Sequence, residues 1–200
     1  MLTLGIDSSG LLLTVALCRT GEVVASRSVE QRRQQGEVLL ALVDECLVQA
    51  KSELGDLAAL AVVTGPGSFT GLRLGIAASL GLARSLNCAL TGYDRFTLLR
   101  TPETALVFES LRADVFVQIP GHEPQMLLPA DILSRWPGAV AGDGVAKLMA
   151  LDPARPVAPL PLAAELAAQK VYADLQAKRE LPPATPYYLR APDVTFPAAL

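Results

Sequence analysis

Asp7, Ser8 and Ser9 follow the apolar run Leu4-Gly5-Ile6 and place one carboxylate and two hydroxyls on a single turn. Such a set can hold a phosphate-bound metal, and it equally describes a strand end whose short polar side chains bond the turn backbone. A second candidate is the string Thr64-Gly65-Pro66-Gly67-Ser68-Phe69-Thr70-Gly71-Leu72-Arg73-Leu74-Gly75. There Gly65 and Gly67 permit backbone angles closed to other residues, Pro66 fixes one φ, and Ser68 is a good N-cap. This loop lacks the lysine of a P-loop, so its phosphate chemistry is weak and its structural use as a rigid turn is strong. Gly142-Asp143-Gly144 can approach a ligand through its backbone, or serve as a strand-to-helix turn with an aspartate cap. His122 is the only histidine and sits in the turn Pro120-Gly121-His122-Glu123-Pro124, so neither a two-histidine metal site nor an evident triad is available within one chain. Cys18, Cys46 and Cys88 are widely separated and odd in number, which fits reduced thiols and gives no CxxC pair for zinc.

Alternating and β-branched runs predict strands over Thr3 to Asp7, Leu12 to Cys18 and Val23 to Val29, an antiparallel meander. Gln34 to Lys51 then turns helical, with Leu39, Leu42, Val43, Cys46, Leu47 and Ala50 on one broad apolar face. Strand Leu60 to Thr64, helix Phe69 to Leu86, strand Ala89 to Gly92 and helix Asp94 to Arg100 complete a β-β-β-α-β-α-β-α order. The second half begins the same way: strands Ala105 to Glu109, Asp114 to Ile119 and Gln125 to Leu128, helix Ala130 to Arg135, strand Ala139 to Ala141. Helices Val145 to Leu151 and Leu162 to Arg179 follow. The repeated order predicts two related lobes, 1–100 and 101–180, with an irregular Pro-rich tail over 181–200 in which Tyr187-Tyr188-Leu189 packs back and Ala198 to Leu200 frays.

The helix from Phe69 to Leu86 carries charge only at Arg73 and Arg84. Gly71, Gly75, Ser79 and Ala83 recur at four-residue steps and make a smooth ridge on which another backbone can lie close. Arg73, Ala77, Leu80 and Arg84 share a face. The helix is therefore a core element, or a core element with one face at a subunit interface.

A hydrophobic fraction of 51% over 200 residues is enough to bury a sizeable core. The longest uncharged stretch, Leu57 to Leu72, has 16 residues interrupted by Gly-Pro-Gly, too short to span a bilayer. No basic region precedes Asp7, so a signal peptide is not expected and a cytoplasmic location is. Seventeen basic against twenty acidic residues give a net charge of −3, the opposite of a stand-alone nucleic-acid binder. The one local basic cluster near a helix start is Arg32-Arg33, preceded by Arg27, and it reads as solvated surface.

With Leu4-Gly5-Ile6-Asp7-Ser8-Ser9 at its head, the β-β-β-α-β-α lobe resembles the α/β actin-like ATPase fold (the ASKHA, ribonuclease H-like class). The Gly65 to Gly75 string narrows the resemblance to the TsaB (YeaZ) family, the smaller paralogue of the TsaD enzyme in bacterial threonylcarbamoyladenosine synthesis. Gly142-Asp143-Gly144 and Tyr188-Leu189-Arg190 add to it. Residues 1 to 100 match well; 101 to 180 match mainly in element order.

The resemblance implies a non-catalytic subunit that pairs with a TsaD-type transferase, is joined by a TsaE-type ATPase, and meets tRNA indirectly through TsaD. It places Leu39, Leu42, Val43 and Cys46, with Arg73, Ile76, Ala77, Leu80 and Arg84, at the heterodimer surface. Gly65, Pro66, Gly67, Ser68 and Gly71 become a structural loop, and Asp7, Ser8 and Ser9 a vestigial phosphate turn. No cofactor is expected on the chain alone, while ATP or ADP is allowed in the complex. In the catalytic paralogue the first long helix carries paired histidines; the matching stretch here, Gln31 to Glu37, has none. The equivalent second-lobe hairpin, Glu109-Ser110-Leu111-Arg112, is bulky where a phosphate cradle would need small residues. Two rival classes stay open: an actin-like ATPase or kinase, or a glycoprotease-like metallopeptidase; and a homodimer that self-associates through the same helices.

Overall fold

Leu2–Asp7 (β1) is buried at every position, because it is the central strand of a five-stranded sheet covered on both faces. The computed structural model describes residues 1–30 and 35–190, with side chains from residue 38 onward in the second span. The Arg32-Arg33 pair and the expected fraying of Ala198 to Leu200 lie outside the described residues. Leu12–Arg19 (β2) and Glu22–Glu30 (β3) pair antiparallel outward from β1. Leu57–Val63 (β4) and Ala89–Tyr93 (β5) pair parallel on the other side, giving the order β3-β2-β1-β4-β5.

Gln35–Ala50 (α1) and Phe69–Leu86 (α2) cover one face of this sheet. Ser68 caps α2, its hydroxyl accepting from the Gly71 amide at 3.2 Å, and Asn87 ends it in a left-handed conformation at φ 51°. Arg95–Leu99 (α3) follows, capped by Asp94. The second sheet is built from Thr104–Glu109 (β6), Val115–Gln118 (β7), Gln125–Leu127 (β8) and Ala139–Ala141 (β9) in the order β8-β7-β6-β9. Here β6 to β8 are antiparallel and β9 is parallel to β6, so the second sheet repeats the order of the first four strands.

Pro129–Arg135 (α4) and Val145–Met149 (α5) pack with the second sheet, around Ile132 and Leu148. Ala163–Gln176 (α6) departs from the expected lobe assignment: it lies on the first sheet, against β1, β2 and β4. Its buried face is Ala163, Ala164, Ala167, Ala168 and Val171, small enough for the helix backbone to approach β1 closely. The Thr3 hydroxyl donates to the Ala168 carbonyl at 2.7 Å, and a Cβ on Gly5 would meet the Ala164 carbonyl oxygen at 1.9 Å. The chain therefore returns from the second lobe to close the first, and one core runs from Ala61 and Val63 through Phe96 to Phe108 and Phe116. Among the described residues no helix is long and apolar enough to cross a membrane.

Candidate functional site: the cleft between the lobes and the outer helix face

The turn after β1 bonds to itself and to the Gly-Pro-Gly loop. Asp7 Oδ1 accepts from the Ser9 amide at 2.8 Å and from the Ser9 hydroxyl. The Ser8 hydroxyl donates to the Gly71 carbonyl at 2.7 Å, and the Ser68 amide donates to the Ser9 carbonyl at 2.8 Å. Asp7, Ser8 and Ser9 are all at least nine-tenths buried. The structure thus joins the first two sequence motifs into one unit that positions the start of α2. Gly65 has φ +118°, as glycine permits, whereas Gly67 is needed because its backbone lies against Ser9.

Asp143 does not cap α5. That helix starts from Gly144 with no side-chain cap bond, and the carboxylate turns instead toward the cleft. It pairs with Arg95 of α3 at 3.1 Å and accepts from the amides of Leu11 and Glu109. The Arg95 guanidinium lies 3.8 Å over the Phe108 ring. Asp7, Gly10, Thr14, Arg95 and Asp143 line a cavity of about 250 Å³ here. The second-lobe hairpin is closed further by Lys147, which bonds the Glu109 carboxylate and the Arg112 and Asp114 carbonyls, and by an Arg190–Asp114 ion pair. Burial pushes the Asp114 carboxyl up, but Arg190, Ser110 and Lys147 together bring it below its ordinary value. With Ser9 turned onto Asp7 and the Leu11 and Glu109 amides taken by Asp143, these residues do not fit a nucleotide's phosphates in this arrangement.

The outer helix face corrects part of the expected interface. Leu39, Val43 and Cys46 are at most 1% exposed and Leu42 is 8% exposed; all four belong to the core beneath α1. Ile76 is also buried. Arg73, Ala77, Leu80 and Arg84 are exposed along α2, as one face, while Gly71, Gly75, Ser79 and Ala83 are buried on the opposite one. The side of α2 that carries Gly71, Gly75, Ser79 and Ala83 is therefore core, and the side that carries Arg73, Ala77, Leu80 and Arg84 is open. The residues that α1 turns outward are Leu40, Ala41, Asp44, Glu45, Val48 and Gln49, with Leu40 48% and Val48 78% exposed. The spacing of Leu40, Asp44 and Val48 at four-residue steps was legible, but the stronger inward stripe masked it.

A third cluster went unnoticed in the sequence. Asp174 of α6 is buried and accepts from the Tyr93 hydroxyl at 2.7 Å, from Lys170 at 3.0 Å and from Arg179 at 3.0 Å. Burial alone would push its carboxyl up; these three partners outweigh that and hold it below the ordinary range. Burial, with the Asp174 carboxylate beside it, raises the Tyr93 hydroxyl well above its usual value. Nearby the tail is tied down: the Tyr187 amide donates to the Thr64 carbonyl at 2.8 Å, and the Tyr188 ring meets Phe69 at 5.1 Å. His122 is exposed in its turn, with Nδ1 3.2 Å from the Pro120 carbonyl. Among the described residues no group of three His, Cys, Asp or Glu side chains stands ready for a metal.

Comparison with known proteins places this arrangement. Residues 22–99 match the family described as TsaD: tRNA N6-adenosine threonylcarbamoyltransferase. The tRNA threonylcarbamoyladenosine biosynthesis protein TsaB of Escherichia coli is 36% identical over 92 residues, 46% of this chain and 39% of that protein. An uncharacterized protein of Mycobacterium tuberculosis, Rv3421c, is 30% identical over 95% of this chain and 92% of its own length. A Pseudomonas aeruginosa crystal structure, of a protein with similarity to peptidase YEAZ, superposes with a TM-score of 0.75 at 25% identity and covers 94% of this chain and 99% of that one. The chain belongs to the TsaB (YeaZ) family. Its alignments to the relatives that bear the TsaB name each span less than half of those proteins' length. The two lobes have the actin-like ATPase fold. The stretch 22–99 that matches the family model carries the Gly-Pro-Gly loop, α1 and α2, and begins after the Asp7 turn.

Proposed function

We propose that this chain is the non-catalytic partner subunit of a TsaD-type threonylcarbamoyltransferase, required for threonylcarbamoyladenosine modification of tRNA next to the anticodon. The observation that carries the reading is the outer face of α1 and α2, where Leu40, Val48 and Leu80 stand exposed on the same side of the first sheet. Large apolar side chains grouped on two neighbouring helices suit a protein partner better than solvent. The opposite sides of both helices are already committed to this chain's own core, so the exposed face is free to pair without unfolding anything. The cleft supports a non-catalytic role for a separate reason: the Ser9 hydroxyl and amide are turned onto Asp7, and its one arginine is paired with Asp143.

In this reading the chain works in the cytoplasm, a TsaE-type ATPase joins the pair, and tRNA is held through the transferase. The test is reconstitution of tRNA modification from this chain, its TsaD-type and TsaE-type counterparts, and an unmodified tRNA, with each component omitted in turn. Modification should fall to background without this chain. Full modification in its absence would overturn the proposal, and modification by this chain alone would move it to the enzyme class.

A further inference from the structure

Three sets of donors converge on the Asp143 carboxylate. Oδ2 accepts from the Leu11 amide at 3.2 Å and from Arg95 at 3.1 Å; Oδ1 accepts from the Glu109 amide at 2.9 Å and from Arg95 at 3.4 Å. Leu11 lies in the turn between β1 and β2, and Glu109 ends β6 where the equivalent turn of the second lobe begins. Two backbone amides from matching turns, together with a guanidinium fork, form a donor set complementary to an oxyanion. Arg95 is only 7% exposed and is stacked on Phe108, so the fork is fixed in place. Gly10 keeps the space open, since a Cβ there would meet Asp143 Oδ2 at 2.4 Å.

We infer that the Leu11 amide, the Glu109 amide and Arg95 form an oxyanion cradle, and that the chain fills it with its own Asp143 carboxylate, a built-in substitute for phosphate that holds the two lobes together without a nucleotide. Nothing local requires an aspartate at this position, because α5 begins without a side-chain cap. The side chain reaches 132 residues back along the chain to Leu11, a contact that links the lobes. A carboxylate tethered beside the cradle has a high effective concentration, which keeps free anions out of the intact protein. The inference concerns the cleft and does not depend on what binds the outer helix face.

The experiment uses the full chain with Asp143→Ala and inorganic phosphate as probe, followed by the amide resonances of Leu11 and Glu109. In the variant, both amides should shift saturably at millimolar phosphate, chloride at matched ionic strength should leave them unmoved, and the wild type should show no saturable shift. Equal responses in variant and wild type would mark ordinary surface anion binding and overturn the inference, as would a folded variant that does not respond. If the variant is unstable, its melting temperature against phosphate serves instead. A rise beyond that of the wild type in the same salt, absent in chloride, is expected; no such excess overturns the cradle.

Discussion

The Ser8 hydroxyl sits against Gly75: a Cβ built on that glycine would meet Ser8 Oγ at 2.2 Å, while the next atoms, Ser8 Cβ and Val62 Cγ2, stand at 3.4 and 3.7 Å. One oxygen atom therefore sets how near β1's turn and α2 approach, and the same oxygen donates to the Gly71 carbonyl one helical turn earlier.

Gly75→Ala should consequently destabilise the chain by about 1–3 kcal/mol, the cost of overpacking, despite alanine's better helix propensity. Adding Ser8→Ala removes the clashing oxygen and should recover much of the loss. Urea denaturation of the two single variants and the double variant checks this. Simple additivity of the single effects would show that the two residues do not act on one another.

Position along α1 should decide what a glutamate does. Leu42→Glu places a carboxylate in the core under α1 and should cost about 3 kcal/mol or more, visible as a large fall in melting temperature. Val48→Glu, at a position 78% exposed, should leave the melting temperature within a few degrees of wild type. Circular dichroism on the two purified variants separates the outcomes, and equal melting would contradict the placement of these residues.

The Asp174 network predicts acid sensitivity. Its carboxyl is held below its ordinary value in the folded chain, so its stabilising contribution is complete above the unfolded value of about 3.9 and is lost as pH falls through the lower folded value. Asp114, lowered likewise, adds to the same slope. Asp174→Asn should be less stable than wild type near neutrality by about 1–3 kcal/mol, the difference shrinking as pH drops below about 4. Melting curves at several pH values test this; a difference that stays constant would show that the ionised form gains nothing from Tyr93, Lys170 and Arg179.

Much of this architecture was legible because local chemistry dictated it. The Ser68 cap and the change from an apolar strand to a regular helix set α2 at Phe69–Leu86 in sequence and structure alike. The α1 periodicity identified a helix but not which of its apolar residues face outward. Leu39, Leu42, Val43 and Cys46 form the regular stripe because they serve the core, so the large apolar residues left exposed are those outside it, Leu40 and Val48. The place of α6 was hidden for a different reason. Its alanines specify a close approach, but only the route of the chain determines that the surface approached is β1. Asp143 was visible as a residue and its purpose was not, since its partners are Leu11, Arg95 and Glu109, brought together only by the packing of two lobes.

The central claim is that the outer face of α1 and α2 binds a TsaD-type chain, and the affinity of that chain for Leu80→Glu against wild type tests it most directly. Leu80 is 42% exposed in the isolated chain, so the variant should fold normally, as its circular dichroism would show. On binding, the new carboxylate would lose its water without gaining a partner, at a cost of about 3 kcal/mol, more than a hundredfold in Kd. A folded Leu80→Glu chain that binds the transferase at least a hundredfold more weakly is the predicted result. A folded variant that binds as tightly as the wild type would contradict the account.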